Sequence, residues 1–526
     1  LLLPGKKVNR LIKSIPHNYG SRPSLLFLPK FEQALSTLKK LAGQTAIYGL
    51  SSILGRFLTF FLTPLHTTVL SKEDFGINTD IYSLIAFLMV ILTFGMETTF
   101  FRFYQQKESE SDARKIFSHT LFPVISFSLV FLSVLLLFLP GIATVLKYED
   151  HPEFPVYMAL IVIMDALSAV PFAKLRAQNR PIRFVTVRMI QIGLFFSLNY
   201  FFFYFCPLMV EHNIATGLVS TIYKPELGVA YIFISNLIAS GCMLLMLSPE
   251  FKKLRFILDW SLEKRYLLYA APLVIGGLAG IANEMVDRQF IKYLLPEDTF
   301  RAQLGIYGAN YKIATFMMMF IQAFRFAAEP FFFAQSKAQD QRKTYAQILK
   351  FFTIFQVLIF VGLIGFIDLV KIFIDEKYWV GLPLAPILLF ANLLVGINLN
   401  LNVWYKLEDK TKYGAYITFL GFFFTVVLNF LLIPEMGIMG AAIATLVSYA
   451  SMTGYAYYLN QKHFKTPYQT GRVLLYLSVA IVLGYVCFTY TRQMYLLNAF
   501  ILLAFAGFLG FTERKELSSL MGAKSK

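Results

Sequence analysis

Three cysteines, six histidines and 31 carboxylates are all that a chain of 526 residues offers to covalent, metal or acid–base chemistry. Cys206, Cys242 and Cys487 are scattered in apolar context, which excludes a disulfide framework and a thiolate metal cluster. The histidines, at His17, His66, His119, His151, His212 and His463, have no ligand spacing, and neither a nucleophile motif nor a phosphate-binding loop occurs. No enzyme, cofactor or metal site is expected. Charged residues make up only 15% of the chain, too few for a soluble surface.

In their place stand 55 phenylalanines and a composition that is 57% hydrophobic. Apolar runs of about 20 residues recur along almost the whole length, and a helix is the element that satisfies its own backbone segment by segment in lipid. The expected class is an all-α polytopic membrane protein with spans near 44–69, 76–100, 117–139, 155–178, 184–206, 227–248, 267–294, 303–328, 346–374, 380–404, 413–433, 437–459, 471–490 and 494–511, about fourteen in all. The formal charge of +17 does not form a nucleic-acid patch; it sorts by loop. Threaded from an inside N-terminus, the spans put Arg102 to Lys115, Lys174 to Arg183, Lys252 to Arg265, Lys337 to Lys350, Lys406 to Lys412, Lys462 to Arg472 and Arg514 to Lys526 on one face. Both termini are expected in the cytoplasm, and Lys292 falls among the few outer cations.

The chain also repeats itself. ELGVAYIFISNL from Glu226 aligns with EMGIMGAAIATL from Glu435, LNYF at Leu198 with LNFL at Leu428, NRPIR at Asn179 with DKTK at Asp409, and LSKEDFGI from Leu70 with LPEDTFRAQLGI from Leu295. Six spans separate corresponding points, so the repeats share one orientation and a pseudo-two-fold axis along the membrane normal relates them. The expected organisation is a basic cytoplasmic arm at 1–42, an N-lobe of helices 1–6 at 43–248 and an interfacial amphipathic linker at 249–265. A C-lobe of helices 7–12 follows at 266–460, then helices 13–14 and a tail at 461–526.

PLHTTVLSKEDFGINTDIYSL and TFGMETTFFRFY in the first lobe, with LNFLLIPEMGIMGAAIATLVSY in the second, resemble the polysaccharide flippases of the multidrug/oligosaccharidyl-lipid/polysaccharide exporter superfamily, over roughly Leu41 to Phe511. The resemblance implies the Wzx-type role: moving undecaprenyl-pyrophosphate-linked sugars from the cytoplasmic to the periplasmic leaflet of a bacterial inner membrane. It implies as partners the lipid-linked oligosaccharide, membrane lipids and the polysaccharide polymerisation machinery. Lipid II flippases of the same superfamily carry SRxLGFxRD in their first helix. Here the segment is SSILGRFLTF, in which Leu54 and Gly55 match and the acid is absent.

A charge inside a span costs at least about 2.5 kcal/mol at the bilayer centre, so it normally faces protein or water. The cations so placed are Arg56, Arg188, Arg288, Lys312 and Arg325; the acids include Asp80, Asp165, Glu284, Asp287 and Glu329. A cavity lined by Arg56, Lys312, Arg288 and Arg325 can hold a pyrophosphate through charge-assisted hydrogen bonds. Internal pairing is the alternative for two of them, since Glu284 and Arg288, like Arg325 and Glu329, are four residues apart on one helix. Arg188 lies a turn inside its span and is expected to snorkel. Asp165 can answer Arg56 or bind a coupling H⁺ or Na⁺. Arg56 and Lys312 lack local partners, and their depths, from 1.5 Å per residue in a core about 30 Å thick, agree to a few ångströms. They are expected to share one phosphate group. The run NLNLN with Trp404 and Tyr405 suits sugar binding or helix packing, and a multidrug cation antiporter, which needs an acidic cavity, is the competing function.

Overall fold

The computed structural model describes residues 54–55, 57–214, 216–252, 254, 259–334, 340–516 and 518, without the side chains of 216, 218, 220, 327, 329, 330, 333 and 334. The basic arm at 1–42 and Arg56 therefore lie outside the described residues. Among those described there is no strand, as expected for a chain whose apolar runs leave helix as the self-sufficient backbone.

Fourteen helical elements answer the expected spans. They are α1 (Phe57–Val69), α2 (Lys72–Tyr104), α3 (Glu110–Leu137), α4 (Glu153–Ala177), α5 (Pro181–Glu211), α6 (Ala230–Phe251) and α7 (Trp260–Leu294). After them come α8 (Phe300–Ala334), α9 (Gln341–Gly365), α10 (Leu384–Leu407), α11 (Lys412–Met436), α12 (Ile438–His463), α13 (Thr470–Thr489) and α14 (Tyr495–Thr512). Twelve are long and apolar enough to cross a membrane by themselves. The exceptions are α1, described only from Phe57, and α8, which is 35 residues long but is interrupted by Arg301, Lys312 and Arg325. The chain is a multi-pass membrane protein.

The amphipathic linker expected at 249–265 is largely taken up by its neighbours. α6 runs on to Phe251 and α7 starts at Trp260, where the Asp259 side chain accepts from the N–H groups of Ser261 and Leu262; residues 253 and 255–258 lie outside the described ones. An Asp cap of this kind offsets the unsatisfied first-turn donors and starts the helix earlier than apolar periodicity indicates.

The repeat is visible in backbone conformation. Asn179 and Asp409, aligned by sequence, both have left-handed φ (54° and 53°), as do Gly228 and Gly437 (42° and 58°). Asn199 and Asn429 are both fully buried, and each donates to a carbonyl four residues earlier, Phe195 and Thr425, at 2.7 Å. The axis between the lobes passes through one contact. A Cβ on Gly76 of α2 would strike the carbonyl of Arg301, and one on Gly305 of α8 would strike that of Lys72, a reciprocal arrangement in which each glycine meets the carbonyl four residues before the other. Only glycine allows two backbones to approach so closely.

α13 and α14 pack on α9 of the second lobe. At their basic end Lys350 of α9, 1% exposed, reaches Glu513 (2.6 Å) and Glu516 (2.7 Å), while Arg472 and the Tyr476 hydroxyl also meet Glu513 at 3.0 and 2.5 Å. At the other end Asn498 donates to the Gly365 carbonyl at 2.7 Å and Arg492 pairs with Asp368. Lys350 is thus a buried partner within α9, not a free loop cation as its place in the basic segment suggests; the helix is longer at this end than its apolar run. Burial pushes the Glu513 carboxyl up, but Lys350, Tyr476 and Arg472 outweigh it and hold the group below its ordinary value of 4.5. A depressed carboxyl stabilises the fold above its unfolded value and loses that contribution as pH falls through the folded one. Lys350→Ala should cost about 3–5 kcal/mol, because it leaves Glu513 buried without its main cation. In detergent at pH 7 this appears as a lower thermal midpoint. Wild type and variant should converge once pH falls well below 4.5, where the carboxyl is protonated in both.

Candidate functional site at the seam between the lobes

α7 and α8, the first two helices of the second lobe, carry the charges. Arg288 on α7 is 4% exposed, and its Nη1 donates to the Asp287 carboxylate at 2.6 Å and to the main-chain carbonyl of Glu284. The guanidinium lies over the ring of Tyr311 at 4.3 Å, and the other oxygen of Asp287 accepts from the Tyr307 hydroxyl. Arg288 is therefore closed in a carboxylate pair, and the partner is Asp287 rather than the Glu284 carboxylate that i,i+4 spacing indicates. The packing of α8 decides this: Tyr307 and Tyr311 stack the guanidinium inward, and Glu284 remains exposed.

Lys312 stands one residue beyond Tyr311 and differs from Arg288. It is half-buried and makes no hydrogen bond or ion pair among the described residues. Two groups lie within its electrostatic reach, Arg288 beside it and His66 on α1 of the first lobe. His66 is itself buried, with Nε2 2.7 Å from the side-chain oxygen of Asn199 on α5. Lys312 thus lies where the two lobes meet, next to an arginine that Asp287 already holds and with no ion-pair partner of its own among the described residues.

Arg325 is brought to neither. It is exposed toward the basic end of α8, thirteen residues or about 20 Å from Lys312 along the helix axis, and it has a partner of its own. The Glu329 side chain expected to pair with it lies outside the described ones.

Asp165 belongs to a separate polar chain inside the first lobe. Ser240 of α6 donates to its carboxylate at 2.7 Å, Gln191 of α5 donates to Ser240 at 3.3 Å, and Arg188 donates to Gln191 at 2.9 Å. Arg188, an exposed residue, also reaches toward α4, where it lies over the Phe172 ring, and its charge acts on Asp165. No group of three or more His, Cys, Asp or Glu side chains suited to a metal ion occurs among the described residues. The asparagines of NLNLN are packing groups. Asn398 and Asn400 are buried, Asn402 bonds Asn398, Asn400 donates back to Gly396, and Trp404 is 1% exposed among Tyr413 and His463.

Sequence reading missed the seal at the end of the seam opposite the basic loops. Lys292 of α7, read as an outer-loop cation, is 1% exposed and ion-paired to Asp80 of α2. The Tyr148 hydroxyl (2.7 Å) and Gln289 (2.7 Å) complete the shell of that carboxylate. Across the same lobes Phe60 of α1, Phe316 of α8 and Phe373 pack ring on ring, with centroids 4.2–5.5 Å apart. The hydroxyl of Tyr378 also reaches the Ser71 carbonyl at 3.0 Å. Asp80, an acid just inside the start of its span, was the available signal; its partner is 212 residues away.

Two helical lobes meet across a seam bridged by Asp80–Lys292 toward one end and by His119–Glu263 and the Phe103–Tyr266 ring contact toward the other, and the fold is shared with solved flippase and transporter structures. A structure titled "Lipid II flippase MurJ, inward closed conformation" matches with a TM-score of 0.69 at 14% identity, covering 90% of this chain and 99% of that one. An inward-facing multidrug resistance MATE family transporter of the MOP superfamily matches at 0.60 and 11% identity, covering 80% and 96%. No curated protein matches. Residues 41–336, more than half of the chain, match the family described as polysaccharide biosynthesis protein, and the chain belongs to that family. Its fold is that of the flippase and transporter structures named above.

Proposed function

We propose that the protein moves an undecaprenyl-pyrophosphate-linked oligosaccharide from the cytoplasmic to the periplasmic leaflet of a bacterial inner membrane, with the basic loops and both termini cytoplasmic. One observation carries the reading: Lys312, at the lobe seam, makes no ion pair among the described residues, while the neighbouring Arg288 is already held by Asp287. A pyrophosphate leaving water needs fixed charge to replace its hydration, and a free ammonium beside a stacked guanidinium supplies it. Arg56, equal in depth by sequence, is the second ligand in this proposal. In this proposal the Asp80–Lys292 contact closes the periplasmic side of the seam, and substrate taken up from the cytoplasmic leaflet is released when that contact opens.

A diphosphate moving outward goes with the membrane potential, about 2.3 kcal/mol per charge per 100 mV, so coupling is not required. If an ion is coupled, Asp165 is the group that would bind H⁺ or Na⁺. The exposed Glu284 carboxylate favours the competing reading, a cation antiporter. Both are tested in cells whose own flippase is deleted. The expected result is restored surface polysaccharide and no gain in resistance to cationic drugs; drug resistance without polysaccharide would replace this proposal. Cysteines in the 207–225 loop should label with an impermeant thiol reagent from the periplasm, and one near Lys410 should not.

A further inference from the structure

At the basic end of the first lobe, the ends of α5 and α6 leave a hollow of about 610 Å³ bordered by Arg180 and Arg183, with Ile182, Val187 and Met246 among its walls. Three cations converge there on one carboxylate. Glu250, 5% exposed, takes Lys174 at 3.0 Å, Arg180 at 2.9 Å and Arg183 at 3.7 Å. One carboxylate neutralises one charge, so two remain in surplus. The two guanidinium groups keep donors to spare, since each carries five N–H groups and their side chains are 40% and 34% exposed. The first-turn N–H groups of α5, which opens at Pro181, add partial positive charge at the same end.

This cluster is distant from Lys312. Arg180 lies nineteen residues before Asn199, the partner of His66, which is about 28 Å along α5. Its level is that of the basic loops, where lipid headgroups lie, and basic pockets between helices at that level bind anionic headgroups. The walls distinguish a lipid from a soluble anion. Ile182 is 76% exposed, and with the half-buried Met246 it offers apolar surface that an acyl chain covers and hydrated phosphate does not.

We infer that this hollow binds an anionic phospholipid, its phosphate held by Arg180 and Arg183 in partial exchange for Glu250. The transported substrate does not enter the argument; only the leaflet rests on the orientation proposed above. The test is native mass spectrometry of the full chain in detergent, counting bound phosphatidylglycerol against phosphatidylcholine. Phosphatidylglycerol should be retained about tenfold better. Arg180→Ala/Arg183→Ala should bring it to the phosphatidylcholine level. Arg180→Ala, which leaves Lys174 and Arg183 on Glu250, should reduce retention severalfold and serves if the double variant does not fold. Glu250→Gln removes the competing carboxylate at constant shape and should strengthen retention severalfold. Equal retention of the two lipids, unchanged or weaker binding by Glu250→Gln, or full displacement by millimolar inorganic phosphate would each overturn the inference.

Discussion

Lys312→Ala should abolish export of the lipid-linked sugar, by 100-fold or more, in cells that hold normal amounts of the protein. The size follows from what the ammonium does. A phosphate group transferred from water into a low-dielectric seam loses hydration worth several kcal/mol, and each factor of ten is 1.4 kcal/mol. Abundance should hold because Lys312 has no partner to leave behind among the described residues; removing a lone charged group relieves a desolvation cost. Lys312→Arg should keep part of the activity, as the charge survives while the compact three-donor head does not. Arg288→Ala makes the contrast. It strips Asp287 of its cation and Tyr311 of its stacking partner, so it should lower abundance as well as export. Export by Lys312→Ala at matched expression, measured as surface polysaccharide, would remove the seam lysine from the site.

Asp80→Asn should trap the lobes open on the outer side. In the closed seam Lys292 is 1% exposed and Asp80 is its anion, so the substitution leaves a buried ammonium without its paired carboxylate and with Lys147 and Arg301 nearby. Breaking one side of such a pair costs about 3–5 kcal/mol, which shifts the population of the closed form by two to three orders of magnitude. The open form escapes the penalty because water reaches Lys292. A cysteine at Thr79, beside Gly308 beneath the Gly76–Gly305 crossing, reports this in a chain whose Cys206, Cys242 and Cys487 are replaced. Its labelling from the periplasm should rise at least tenfold while transport falls. Asp80→Asn/Lys292→Met removes both charges and should recover most of the closure. If labelling does not change in Asp80→Asn, the pair is a fixed strut and the seam opens elsewhere.

The two arginines that sequence spacing treats alike show where linear reading stops. Arg288 and Arg325 each have an acid four residues away, yet Arg288 pairs instead with its immediate neighbour Asp287, because Tyr307 and Tyr311 on the next helix fix the direction of the guanidinium. Lys312 carries no such constraint, and its lack of a sequence-local acid agrees with its making no ion pair among the described residues. Asn398 and Asn400 suit sugar binding or packing in the chain and are buried in the structure, where Asn398 accepts from the Asn402 side chain and Asn400 donates to the Gly396 carbonyl of α10, the most enclosed of the spans.

Membrane class, helical fold, the order of the spans and the parallel repeat were determined by the sequence alone. Lipid forces each apolar run to satisfy its own backbone, and charge sorts by loop, so both signals are local and need no knowledge of neighbours. The alignment of Gly76 with Gly305 was equally local, but that they touch, each against the carbonyl of the other helix, belongs to the tertiary structure. So do the Asp80–Lys292 seal, the Lys350–Glu513 anchor of the last two helices and the solitude of Lys312. Pairing in a membrane interior is decided by which helix faces present charge to one another across low dielectric. Residues 163 and 212 positions apart become partners only when the helices pack.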